Sequence, residues 1–227
     1  MKKVTSLLLV FVLFFCASVG IYAESGNERT VYDTKAKMLA DRFFADSFAV
    51  YDSNGADITA EFYAAITPKY QNMDYMGIAE YFMEYAKYAE CISVEPASPL
   101  RSSRDTVTVT RGFVENVDDL RHGWENHNII HGTVSLTYVV NSNEGEILSA
   151  RKPSVVDIDL FHHYGDLIPE IEVSGETAEI SSDRQSATFS FDVYAFMRVY
   201  SEIYPEAGDM NLAYEYEASF SFTEYAP

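Results

Sequence analysis

The segments FSFDVYAFMRV (189–199) and LAYEYEASFSF (212–222) decide the fold. In the first, Phe189, Phe191, Val193, Ala195, Met197 and Val199 occupy every second position. In the second, Leu212, Tyr214, Tyr216, Ala218, Phe220 and Phe222 do the same, with Glu215, Glu217, Ser219 and Ser221 between them. Successive side chains of a strand point to opposite faces, so a period of two predicts two long strands, each with one face in a core and one in water. Strands of that one-sided kind belong to antiparallel sheets, because parallel sheets are covered on both faces.

The same period recurs toward the N-terminus. Thr106, Thr108 and Thr110 alternate with Val107, Val109, Arg111 and Phe113, and Val134, Leu136, Tyr138 and Val140 form another apolar face before the turn sequence NSNEG (141–145). Val156, Ile158 and Leu160 alternate with Asp157 and Asp159, and shorter candidate strands lie at 170–173 and 177–180. Upstream of the connector EPASP (95–99), whose two prolines interrupt regular structure, the spacing becomes helical. Met38, Leu39, Phe43, Phe44 and Phe48 recur every three to five residues and predict one amphipathic helix over 31–50, ended by DSNG (52–55). A second short helix runs through Phe62 and Ile66, with Asp57 offering oxygen to its free N–H groups and Pro68 interrupting it. A third covers 74–91, with Ile78, Tyr81, Tyr85, Tyr88 and Ile92 along one stripe.

Helices first and strands afterwards predict an α+β fold, with N-terminal helices (about 32–92) packed on a mostly antiparallel sheet or sandwich (about 104–224). We expect a single domain over 31–227, its helical part 31–92 and its β part 93–227. It needs no staples: the mature chain would hold only Cys91, so the core must carry stability, and a chain of this length buries enough surface to do so. Cys91, at the end of an apolar pattern with no histidine near it in sequence, reads as a buried inert thiol.

At the start of the chain, Lys2 and Lys3 precede an apolar run from Leu7 to Ala23, and Glu24 and Ser25 follow. Basic region, apolar stretch and a small residue at the cut are the parts of a secretory signal, here 1–23, followed by a flexible leader over 24–30. An uncleaved anchor is the alternative, since the run sits at the short edge of the roughly 17 to 25 residues that span a bilayer. Lipidation at Cys16 is disfavoured by the bulky Phe15 before it. The chain is thus expected to be secreted or held at the cell surface, and the scarce cysteine and short Lys-Lys signal suit a bacterium. No second apolar run of membrane length follows, so the mature chain is expected not to span a membrane.

The formal charge is -19, and losing two signal lysines takes it to about -21. After Lys152 only Arg184 and Arg198 are basic, against a long series of carboxylates from Asp157 to Glu224. Such a surface repels phosphate backbones, which excludes nucleic acid as a partner. Seventeen tyrosines supply side chains with an apolar body and a polar tip, a type enriched at interfaces.

Candidate chemistry concentrates between Val117 and His131, with Asp118, Asp119, Arg121, His122, Trp124, Glu125, Asn126, His127 and Asn128. Imidazole and carboxylate are zinc ligands, but His122, His127 and His131 match no metal-site spacing, and no metal or cofactor is expected. If His131 opens the next strand, its odd number puts it on the face opposite the apolar one of Val134 and Leu136, toward solvent. Asp157, Asp159 and His163 share one side of a strand and read as a solvated acidic face. The loop DSNGAD (52–57) is too short for an EF-hand and reads as a connector between helices.

These features predict no catalytic residue. The favoured expectation is a non-catalytic extracellular or cell-surface binding module, with Trp124, His122, His127 and Arg121 contacting an unknown glycan, peptide or small molecule. Two alternatives stand beside it. Helices leading into antiparallel strands resemble the nuclear-transport-factor-like arrangement, which implies an apolar-ligand pocket, although all helices come first here. A metal-dependent hydrolase built on the 118–131 loop is the other.

Overall fold

A computed structural model describes residues 33–45, 47–91, 104–118, 120, 128–162, 169–199 and 212–227. The chain is α+β, with three helices among the described residues and mostly antiparallel sheets, as its helix-then-strand order predicts. Helix α1 covers 33–45, followed by β1 (Phe48–Tyr51), α2 (Thr59–Gln71), α3 (Tyr75–Tyr85) and β2 (Tyr88–Cys91). The long strands follow: β3 (Asp105–Val117), β4 (Asn128–Asn141), β5 (Glu146–Ala150), β6 (Ser154–Phe161), β7 (Glu170–Ile180), β8 (Ser186–Val199) and β9 (Leu212–Tyr225).

The first sheet has the order β1-β2-β3-β4-β5, with β6 also paired to β4, and the second has the order β7-β8-β9. β4 serves two partners in turn, β6 along Ile129–Ser135 and β5 along Tyr138–Asn141. The sheets face each other across a layer in which Val109, Phe113, Val134 and Leu136 meet Phe189, Phe191, Tyr216 and Phe220. Phe113 lies 4.4 Å from Phe220 and 5.5 Å from Phe191 between ring centroids, so aromatic rings fill the middle of the sandwich.

The helices cover the opposite face of the first sheet at one end only. Leu39, Phe43, Phe62, Ile66, Ile78 and Phe82 pack with Val114, Ile129 and Phe161 in a second core. At the far end of β3 that same face is open, and Thr106, Thr108 and Thr110 are exposed.

Several local expectations are corrected. The first helix does not run to 50: Phe48 belongs to β1, which pairs with β2 in the register Phe48↔Cys91 to Tyr51↔Tyr88. β2 likewise takes Tyr88 and Cys91 out of the third helix, and Cys91 is half-buried rather than buried. Four-residue strands are too short for a period of two to declare itself; pairing with β3 decides β2, and pairing with β2 decides β1. Tyr85 and Tyr88 are exposed, and the buried stripe of α3 is Gly77, Ile78, Ala79 and Phe82. Pro68 lies within α2 and does not end it, since the helix continues to Gln71. Asp57 does accept from the Thr59 backbone N–H at 2.9 Å, but the turn before it joins a strand to a helix, not two helices. The candidate strands at 170–173 and 177–180 are one strand, bulged at Gly175, whose φ of +66° suits glycine.

Candidate functional site

Arg121, His122, Trp124 and His127 lie outside the described residues, as do the signal over 1–23, the leader over 24–30 and His163. What is described is the base of the 118–131 loop. The Leu120 N–H donates to the Glu215 carbonyl at 2.9 Å, which ties the outgoing strand to β9. Among the described residues no group of three or more His, Cys, Asp and Glu is arranged to hold a metal ion.

His131 does not point to solvent. It is 1% exposed on β4, on the face that α1 covers, and neither ring nitrogen has a hydrogen-bond partner. Its register neighbours are Val114 on β3 and Asp159 on β6. Nor are Asp157 and Asp159 a free acidic face, because both are paired to α1. Arg42 Nη1 donates to the Gly132 carbonyl at 2.8 Å and to the Thr133 hydroxyl oxygen at 2.6 Å, while Nη2 reaches Asp157 Oδ2 at 3.0 Å. Lys35 Nζ donates to Asp159 Oδ1 at 3.3 Å and to the Leu160 carbonyl at 3.4 Å. Two clasps thus hold α1 on the sheet with His131 between them. Burial first, and then the Arg42 charge, push the His131 pKa down from 6.5 to about 4. Burial alone would raise Asp157, but hydrogen bonds from Thr133 and the Arg42 charge outweigh it and hold that carboxyl below its ordinary value.

The outer face of the second sheet offers a different chemistry. The register of β7, β8 and β9 sets its side chains in rows. Glu170, Phe196 and Glu215 form one row, Glu172, Tyr194 and Glu217 the next, and Ser174, Asp192 and Ser219 the third. Beyond these come hydroxyl rows that bond among themselves, Ser190 with Ser221 at 3.3 Å and Thr188 with Thr223 at 3.2 Å. Asp192 accepts from Ser219 at 2.7 Å. Two aromatic rings on the central strand are therefore bracketed by glutamates on both sides, and the described side chains of this face include no cation.

The alternation in the sequence located Glu215 and Glu217 on this face. Their juxtaposition with Tyr194 and Glu172 depends on strand order, which the sequence does not carry. No protein-family model, curated protein or solved structure matches the chain.

Proposed function

We propose that the protein is an exported, non-catalytic binding module that recognises a basic, extended peptide segment through the outer face of β7, β8 and β9. The observation that carries this reading is the pair of rows in which Tyr194 and Phe196 stand between Glu172 and Glu217 and between Glu170 and Glu215. An extended peptide repeats its side chains on one side about every 6.6 Å, the same interval that separates adjacent rows of a sheet. A Lys or Arg at each repeat would meet two carboxylates and the face of an aromatic ring, which attracts cations. The export signal supports an extracellular setting, and the formal charge of -19 favours a cationic ligand over an anionic one.

The test uses an alternating Lys-Thr octapeptide and calorimetric titration against the mature chain at two salt concentrations. Replacing Glu172 and Glu217 by Gln is expected to weaken binding about tenfold or more, and Tyr194→Ala to weaken it further. Replacing Glu61 and Glu80, exposed on α2 and α3, removes the same charge elsewhere and should change affinity less than about twofold. Equal losses in the two double variants would reduce the effect to net charge, and binding of a neutral glycan in place of the peptide would overturn the choice of ligand.

A further inference from the structure

We infer that α1 is an acid-released latch: protonation of His131 undocks this helix from the first sheet while the two-sheet sandwich stays folded. The inference stands on position and does not depend on what the outer face of the second sheet binds.

Four charged groups among the described residues act on His131. α1 contributes Lys35 and Arg42, β6 contributes Asp159 and Asp157, and β3 opposite contributes Val114, which is apolar. The two cations and two anions pair one to one, so the neutral imidazole between them completes a balanced set. A proton on His131 adds a third cation with no carboxylate left for it. Neither ring nitrogen has an acceptor to receive the added N–H, and burial denies it water. Moving α1 away relieves this in one step, because it removes Lys35 and Arg42 and lets water reach the ring.

The sandwich does not rest on α1, whose Phe43 packs instead with Phe48, Phe62 and Phe82 of the second core. The sandwich core is built from β3 to β9 alone, and α1 enters only the second core, through Ala36, Leu39, Ala40 and Phe43. Release would uncover Ile129 and Phe161 on the sheet.

The direction of the pH effect follows from the lowered pKa of His131. A histidine that is harder to protonate in the docked state contributes full stability above pH 6.5, and that contribution is lost progressively as pH falls from 6.5 to about 4. Between pH 7.5 and 4.5 the docking equilibrium should weaken about 70-fold. Over this interval Asp157, held below the usual carboxylate range, keeps its charge.

Hydrogen exchange followed by mass spectrometry, corrected for the intrinsic pH dependence of exchange, reads the effect directly. Peptides from 33–45 should lose about 70-fold in protection between pH 7.5 and 4.5, while peptides from β8 and β9 keep theirs. His131→Leu and His131→Gln should each cut the α1 change to below about fivefold. The nuclear magnetic resonance titration of His131 in the unsubstituted protein gives a second reading, with an expected midpoint below 5. A midpoint between 6 and 7, the same acid loss in both variants, or loss of protection in the sandwich together with α1 would each overturn the latch.

Discussion

Arg111 and Glu224 form a buried ion pair whose removal should behave differently one residue at a time and both together. Arg111 Nε donates to Glu224 Oε1 at 2.7 Å and Nη2 to Oε2 at 2.8 Å, and the two side chains are each 6% exposed. The pair ties β3 of the first sheet to the C-terminal end of β9 in the second. Arg111→Met leaves a carboxylate buried without its fork of donors, and Glu224→Leu leaves a buried guanidinium. Each change should cost about 3 to 5 kcal/mol.

The double variant should recover most of that loss. Burial raises the Glu224 carboxyl above its ordinary value even though Arg111 opposes the shift, so desolvation outweighs the attraction. A pair of that kind is not worth its own burial, and two apolar side chains of similar volume should return stability to within about 1 kcal/mol of the starting protein or above it. Urea titrations of the four proteins at pH 7 complete the cycle. Single variants that lose less than about 1 kcal/mol, or a double variant as unstable as the worse single one, would refute the reasoning.

Phe191→Ala and Phe220→Ala remove neighbouring rings, 5.3 Å apart between centroids, from the middle of the sandwich, and each should lower stability by about 3 to 5 kcal/mol in the same urea assay. Losses below about 1 kcal/mol at both sites would mean that the inward face has been misassigned. For export, intact-mass analysis of protein recovered from an expressing bacterium should find a chain beginning near Glu24, whereas full-length chain in the membrane fraction would refute cleavage.

The fold was most legible where one face of a strand has no helix above it. For β8 and β9 the apolar positions alternate from end to end, and the structure buries Phe189, Phe191, Tyr214 and Tyr216 as that alternation requires. The site was less legible because its parts come together from distant segments. Asp157 and Asp159 showed their side of β6 in the sequence, but their cations lie more than a hundred residues earlier, on α1. The bracket around Tyr194 likewise depends on β7 and β9 flanking β8, an order set by packing. The chemistry expected of Trp124 and its neighbouring histidines lies outside the described residues, and only the anchor of Leu120 on Glu215 bears on that loop.

His131 shows why a period of two can mislead, and also what signal could have corrected it. Parity assigns it correctly to the face opposite Val134, but parity says nothing of what lies beyond that face. The lapse of alternation does. Asn128, Ile129, Ile130, His131 and Gly132 are all buried, whereas Thr133 to Asn141 alternates. Strands covered on both faces read as unbroken runs, and NIIHG (128–132) is such a run with one imidazole in it. Its partner on β3 lapses at the same level, because Val117↔Asn128 through Phe113↔Gly132 are register pairs and Phe113 and Val114 are buried on opposite faces. On β6 the same happens at Leu160 and Phe161, opposite Ile130 and Ile129. Three neighbouring strands that stop alternating at one level mark where a third layer rests on the sheet, so the position of α1 is written in the strands beneath it more than in the helix itself.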